Sequence, residues 1–260
     1  MKKNEMKLTF LIFSGILLLF GCGSDETPEP IEQMPNYFPD AVGSRWTYLN
    51  SDGTQGTTEV SGETNIDGKR YRIIKDTPQP KETEFDPLKP VYYRVTENQV
   101  FFAVGGEIDG YVQNELLASV QDDFAGLELS VAVDAISDPE LTFFQFPLIP
   151  NSQWEALNLK ISGSISLQNL ALLQFPFEVI MRVTGEVIAD GPLETTAGSF
   201  VETYQIEYQT EITQTLFSET ETWQDSQAIW FAPHVGIVKT ENEDGDGAVL
   251  IAYSLAPAEN

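Results

Sequence analysis

Two side chains with nucleophilic or metal-binding chemistry each occur once in this chain of 260 residues: the thiol of Cys22 and the imidazole of His234. A lone cysteine excludes an intrachain disulfide, and one thiol with one imidazole is a poor donor set for zinc. A Ser-His-Asp triad would need His234, but no Gly-x-Ser-x-Gly motif supplies its serine. The sequence therefore disfavours nucleophilic catalysis and zinc chemistry.

Cys22 ends an N-terminal segment with the features of an export signal. Three lysines lie among the first ten residues, and residues 8–20 are uncharged and mainly apolar. This run is too short to cross a hydrocarbon core roughly 30 Å thick, which needs about 20 residues. It predicts a cleaved signal peptide over residues 1–21. A short buried helix over residues 8–20 is the alternative.

The residues around the predicted cleavage point resemble a known processing signal. Leu19-Phe20-Gly21-Cys22 is similar to the lipobox of bacterial lipoproteins. The resemblance implies that the bond before Cys22 is cut and that Cys22 carries the lipid, including palmitate. Two or three acyl chains hold a protein at a membrane far more firmly than one. A free cysteine after an ordinary signal is the alternative.

Residues 22–36 predict a flexible acidic tether. Asp25 and Glu26 follow the cysteine closely, and three prolines interrupt a stretch without apolar periodicity. Fully extended, this tether reaches at most roughly 45 Å. Gly23 at the second position favours the outer membrane, and the acidic pair resembles a signal for export to the cell surface. A plain acidic linker would look the same.

The charge balance limits the partners. The chain holds 40 acidic and 14 basic residues, and removing residues 1–21 leaves a net charge of about −28. Such a surface repels nucleic acid and bare anionic membrane. It could attract divalent cations or basic partners, or it could simply keep the domain soluble.

Period-two alternation of apolar and polar residues dominates the rest of the chain. From Phe200 to Thr213 the even positions are mostly apolar and the odd positions polar, which predicts a long strand with one buried face. Residues 127–133, 159–167 and 177–183 repeat the pattern. Turn signals separate such runs at Ser51-Asp52-Gly53, Asp67-Gly68, Asp109-Gly110, Asp190-Gly191 and Asp244-Gly245-Asp246-Gly247. A short helix is predicted only near Asn114 to Asp123.

An internal repeat is visible in three collinear blocks. Residues 38–50 read FPDAVGSRWTYLN and residues 146–158 read FPLIPNSQWEALN, with Gly43 aligned to Asn151. The second block matches Val60-Ser61-Gly62-Glu63 with Val183-Thr184-Gly185-Glu186. The third matches Val91-Tyr92-Tyr93 with Ile229-Trp230-Phe231. The order favours duplication, with pseudo-repeats over about 38–110 and 146–254.

These patterns predict an all-β domain over residues 37–256. Because one meander alone could not easily bury its apolar face, the two should pack together as a single curved antiparallel sheet (an open barrel) or as a β-sandwich. Trp46 and Trp154 would be equivalent core anchors at strand starts. Sugar stacking by these tryptophans is the less favoured interpretation.

Acidic residues could also serve catalysis or metal binding. Paired carboxylates about 5 to 10 Å apart cleave glycosidic bonds, but with so many acids suitable pairs arise by accident. Asp244 and Asp246 sit in Glu243-Asp244-Gly245-Asp246-Gly247, which resembles part of a calcium loop without its closing glutamate. A hairpin turn is the favoured interpretation, so Ca²⁺ is a weak alternative and no other cofactor is expected besides the lipid on Cys22.

The motifs together resemble a group of uncharacterised bacterial lipoproteins. The resemblance rests on four motifs: Tyr37-Phe38-Pro39, Gly43-x-x-Trp46-x-Tyr48, Gly198-Ser199-Phe200 and Trp230-Phe231-Ala232-Pro233-x-Val235-Gly236-x-Val238-Lys239. It covers most of the mature chain and implies a fold and a location, not a reaction. The expected function is non-enzymatic binding of a small molecule, glycan or envelope protein by a lipid-anchored outer-membrane domain. A carbohydrate-active hydrolase and a structural subunit of a surface complex are the alternatives.

Overall fold

The computed structural model describes residues 37–78, 88–89, 91–105, 108, 111, 116, 129–134, 140–167 and 170–257. Residues 36–260 form one compact unit. The predicted lipid site Cys22, the Asp109-Gly110 turn and, apart from the buried Leu116, the helix near Asn114 to Asp123 lie outside the described residues. Within them, no helix is long and apolar enough to cross a membrane.

The described residues form thirteen β-strands, which confirms the all-β prediction. They are β1 (Arg45–Asn50), β2 (Gln55–Ile66), β3 (Lys69–Thr77), β4 (Tyr92–Val95), β5 (Gln99–Ala103), β6 (Leu129–Val133), β7 (Glu140–Gln145), β8 (Gln153–Leu167), β9 (Leu170–Thr195), β10 (Gly198–Leu216), β11 (Glu219–Ala232), β12 (Gly236–Asn242) and β13 (Gly247–Ser254).

All thirteen strands belong to one antiparallel sheet, so the chain adopts the curved single sheet and not the sandwich. The strand order is β6-β8-β9-β10-β11-β12-β13-β1-β2-β3-β4-β5-β7. The sheet is open, since no backbone ladder joins β7 to β8 in the described residues. The sheet nevertheless curves so far that β8 and β7 come into contact. The Trp154 indole of β8 donates a hydrogen bond to the Thr142 carbonyl of β7.

Twelve of the thirteen strands form two six-stranded halves that lie side by side, and β6 adds an edge strand next to β8. One half consists of β1–β5 and β7, and the other consists of β8–β13. The turns that open the halves have the same hydrogen bonds. The Gly43 N–H donates to the Val60 carbonyl at 2.8 Å, and the Asn151 N–H donates to the Val187 carbonyl at 2.7 Å. Gly43 and Asn151 both have positive φ, at 96° and 67°, which glycine and asparagine tolerate best.

Strand register corrects one of the three sequence matches. Trp46 pairs with Thr58, and Trp154 pairs with Gly185. The residue two positions beyond the partner is Val60 in the first half and Val187 in the second. The register therefore makes Val187, and not the matched Val183, equivalent to Val60. The β-bulge after Val60 recurs after Val187.

The third sequence match agrees with the register of the sheet. Tyr93 pairs with Arg72 of β3, and Phe231 pairs with Tyr204 of β10. By register, Arg72 and Tyr204 are equivalent positions, so Tyr93 and Phe231 are equivalent too. Strand register, rather than the sequence matches, therefore defines equivalent positions in the two halves.

Two expectations about β9 and β10 were wrong. Asp190-Gly191 is no turn but part of β9, paired with Tyr204 and Thr203, because ladder hydrogen bonds to β10 outweigh the local turn preference. Thr203, expected on the wet face, is buried and donates to the Gly191 carbonyl at 2.7 Å. The cause is a β-bulge between Phe200 and Thr203, which reverses the alternation.

The core fills the concave face of the sheet with aromatic rings. Phe143 of β7 stacks on Phe102 and on Tyr208, at centroid separations of 4.0 and 5.3 Å. The Tyr208 hydroxyl donates to the Phe143 carbonyl. Side chains from β8 and β10 thus donate hydrogen bonds to the backbone of β7. A closed barrel would instead have a backbone ladder between β7 and β8.

Candidate functional site

A cleft of about 470 Å³ opens on the concave face between β1–β3 and β11–β13. Its floor is apolar and buried, and its mouth is polar. The floor consists of Phe38, Trp46, Val60, Tyr93, Phe102 and Ile229, and the mouth includes Asn50, Thr54, Gln55, Asp76 and Lys89. A mainly apolar pocket of this size with a few polar groups has the usual composition of a small-molecule site.

Strand register places the cleft walls. Trp46 pairs with Thr58, and Thr58 pairs with Asp76, so the three side chains form one row across β1, β2 and β3. Because side chains alternate between the faces of a strand, the residues two positions away, such as Val60 and Ile74, face the same side. The alternation of side chains that builds the core therefore also places the side chains that line the cleft.

Gly56 leaves the space that forms part of the cleft. It pairs with Tyr48 on the neighbouring strand, and a Cβ added at Gly56 would meet nothing within 4 Å. The Tyr48 hydroxyl donates to the Ile237 carbonyl at 2.9 Å, which holds the ring against β12. Any larger side chain at position 56 would occupy the cleft.

Asp76 brings a carboxylate to the mouth of this apolar cleft. Its side chain is half-buried, and its Oδ1 accepts a hydrogen bond from the Thr58 hydroxyl at 2.6 Å. Burial, and secondly the nearby Asp76 carboxylate, raise the pKa of Tyr48 well above its ordinary value. The charge of Asp76 is therefore felt within the cleft and not only in the surrounding solvent.

The equivalent region in the other half of the sheet is filled. By strand register, Val183 takes the place of Gly56 and Tyr208 takes the place of Asp76. Val183 and Tyr208 are both fully buried. The same strand arrangement thus supports packed core in one half and a cleft with a carboxylate in the other.

A second polar cluster centres on Glu140 at the edge strand β7. Arg94 binds this carboxylate through Nε and Nη2 at 2.5 and 3.0 Å, Lys69 donates to it at 2.7 Å, and the Tyr71 hydroxyl also donates to it. Burial acts to raise the pKa of Glu140, but these hydrogen bonds outweigh it and lower the pKa to about 2. The cluster ties β3 and β4 to β7, and it is saturated by its own partners.

The outer face of the sheet carries a shallow acidic depression of about 390 Å³ across β9–β11, lined by Glu207, Glu211, Asp225 and Glu243 among others. Polar neighbours engage three of these acids. Gln209 donates to Glu207 at 3.5 Å. Arg182 and Gln224 contact Glu211 at 3.4 and 3.0 Å, and Ser226 donates to Glu243 at 3.2 Å. The depression lacks the apolar floor found in the cleft.

The sequence-predicted residues do not gather at one site. Asp244 and Asp246 lie in the exposed turn between β12 and β13, where Asp246 accepts a hydrogen bond from the Ser51 hydroxyl at 3.0 Å. His234 lies in the turn between β11 and β12 with φ of 62°. Among the described residues, no three or more histidine, cysteine or acidic side chains converge as a metal site would require.

Sequence reasoning missed Gly56 and Asp76. Their only signal in the sequence is their place in the two-residue repeat of each strand. Gly56, Thr58 and Val60 occupy every second position of β2, and Ile74 and Asp76 do the same in β3. A carboxylate at a core-facing position of a strand is unusual. The signal could be read only if the register of β2 against β3 were known.

No protein-family model matches this chain, and no curated protein matches it significantly. Among solved structures, the chain is similar to a presumed lipoprotein of Parabacteroides distasonis, with 13% identity over 84% of this chain and 98% of that chain and a TM-score of 0.41. It is also similar to a presumed exported protein of Bacteroides fragilis with a YmcC-like fold, with 13% identity over 84% of this chain and 99% of that chain and a TM-score of 0.37.

Proposed function

We propose that this protein is a lipid-anchored binding protein of the bacterial cell envelope that holds a mainly apolar small molecule in the cleft between β1–β3 and β11–β13. The lipobox-like residues before Cys22 support the anchor, and the glycine after it supports placement in the outer membrane. The acidic pair Asp25-Glu26 extends this proposal to the cell surface. The tether of residues 22–36 would hold the domain clear of the headgroups.

The contrast between the two halves of the sheet carries the proposal. Strand positions that hold the buried side chains of Val183 and Tyr208 in one half hold Gly56 and Asp76 in the other. Filling the cleft would bury more apolar surface and so stabilise the fold, at roughly 25 cal/mol per Å². An unfilled apolar space of about 470 Å³ therefore fits a role in binding better than a role in packing.

Binding of N-phenyl-1-naphthylamine, an uncharged fluorescent apolar probe, tests this function. The chain from residue 22 onward, carrying Cys22→Ser so that no detergent is needed, should bind it saturably with one probe per chain. Gly56→Leu should weaken binding at least tenfold, because the new side chain extends into open cleft and clashes with no protein atom within 4 Å of its Cβ.

Gly62→Leu is the matched control. It lies on the same strand outside the cleft, and its Cβ would make an ordinary contact of 3.8 Å with Ile73. It should bind the probe as the parent chain does, and circular dichroism should show all three proteins folded. Absence of saturable binding, or equal affinity of a folded Gly56→Leu variant, would rule out the cleft as the binding site.

A further inference from the structure

We infer that the cleft selects amphiphiles that carry an ammonium group, with the Asp76 carboxylate as the counter-charge at the mouth and the aromatic floor as the site for the apolar chain. This inference rests on the proposed binding function and names the chemical class of its ligand. It starts from the placement of one carboxylate beside a cavity whose floor is apolar.

Asp76 is held in position for such a contact. The Thr58 hydroxyl donates to Oδ1 at 2.6 Å, which holds this oxygen beside β2. A carboxylate has about four acceptor sites on its two oxygens, so Oδ2 retains acceptor capacity for a ligand. Thr58 thus acts as a positioning residue, and Asp76 as the group that touches the ligand.

The environment of Asp76 favours charge recognition over simple solvation. The carboxylate is half-buried, and its influence extends to the Tyr48 phenol within the cleft. Charge-charge attraction is stronger where water is partly excluded than at an open surface. Lys89, the cation at the mouth, is exposed, so water and salt screen it more effectively.

The rest of the lining fits one apolar chain and disfavours an anionic head. Phe38, Trp46 and Phe102 provide aromatic surface on the floor, while the net charge of the chain is −26. A fatty-acid carboxylate placed at Asp76 would face a like charge in a partly desolvated site, which is unfavourable. An ammonium group at the same position would be attracted and could donate a charge-assisted hydrogen bond.

Displacement of N-phenyl-1-naphthylamine by three probes of equal chain length tests the inference. Dodecylammonium should bind at least tenfold more tightly than dodecanol, and dodecanoate should bind most weakly. Asp76→Asn should remove most of the preference for dodecylammonium and change dodecanol affinity less than threefold. Thr58→Val should lower the dodecylammonium affinity by a smaller factor, because the carboxylate remains but loses its orientation.

Asp244→Asn is the control for long-range attraction, since it removes the same charge from an exposed turn outside the cleft lining. It should leave the order of the three affinities unchanged. Tightest binding of dodecanoate, or an unchanged preference in Asp76→Asn, would overturn the ammonium inference while the binding function stands. Failure of the uncharged probe itself to bind would instead remove the binding function.

A fourth probe distinguishes two sources of the ammonium group. Monoacyl phosphatidylethanolamine carries the group on a phospholipid head, whereas dodecylammonium carries it directly on the chain. Displacement by both with Asp76-dependent affinity supports the site and assigns the ligand to membrane lipid chemistry. Displacement by dodecylammonium alone supports the site and assigns the ligand to a free amphiphilic amine.

Discussion

Trp154 donates its indole N–H to the carbonyl oxygen of Thr142 at 2.9 Å, across the place where β8 and β7 lie side by side without a backbone ladder. One side chain therefore bonds strands from opposite ends of the sheet. Because Trp154 is buried, its loss would leave both a cavity and an unsatisfied carbonyl.

Trp154→Phe should lower the free energy of unfolding by about 2 to 3 kcal/mol, from lost packing and from the lost hydrogen bond. Urea denaturation followed by circular dichroism measures this. Trp223→Phe is the control, because Trp223 is 40% exposed and should change stability by no more than about 0.5 kcal/mol. Equal stability of the two variants would contradict a stabilising role for the Trp154 contact.

Gly185 lies against the same indole, and its lack of a side chain is required there. A Cβ at this position would fall 2.4 Å from Cζ2 of Trp154. Gly185→Ala should therefore cost about 2 kcal/mol or more through displaced packing. Gly56→Ala, which meets no atom within 4 Å, should be neutral or stabilising by about 0.5 kcal/mol. Thermal melts of the two variants should separate clearly, and coincident melts would refute the packing argument.

Glu140 predicts a specific loss of stability in acid. Its pKa is held at about 2 in the folded protein against an ordinary value of 4.5, so the unfolded state binds the proton first as the pH falls. The stabilisation is complete above about pH 4.5 and is lost as the pH falls towards 2. Glu140→Gln should lower the free energy of unfolding by about 2 kcal/mol at pH 7, and this deficit should shrink between pH 4.5 and 2.

The matched control for Glu140 is Glu241→Gln, since Glu241 pairs with Lys239 at 2.6 Å on the exposed face. It should change stability by no more than about 0.5 kcal/mol at pH 7. Denaturation at pH 7, 4 and 3 measures both variants. A deficit for Glu140→Gln that stays constant over this range would contradict the low pKa.

Cys22 should determine the attachment of the protein to the membrane. Cys22→Ser should abolish incorporation of labelled palmitate and move the protein from the membrane fraction to the soluble fraction, because no acyl chain remains to be buried. Ser24→Ala, two residues beyond, should leave both properties unchanged. Continued membrane fractionation of an unlabelled Cys22→Ser protein would show that another feature anchors the chain.

Much of the fold could be predicted because it depends on local pattern. The alternation of Ile206, Tyr208 and Ile212 along β10 marks their buried face, and the two tryptophans at the starts of β1 and β8 are buried as predicted. Turn prediction worked where glycine adopts positive φ, as at Gly68 with φ of 79°. It failed at Phe217 and Ser218, which adopt φ of 51° and 70° without a glycine or asparagine. There the thirteen-residue pairing of β10 with β11 determines the turn.

The sequence by itself determined the all-β class and most of the alternating buried faces, because both depend on the order of residues along the chain. It also predicts the anchor at Cys22. Only the tertiary structure decided that the sheet stays open at β7 and β8, and that Gly56 and Asp76 leave a cleft where Val183 and Tyr208 fill the other half. The physical reason is register. One bulge or one shifted pair changes which side chains share a face, and neighbours across strands are distant in sequence.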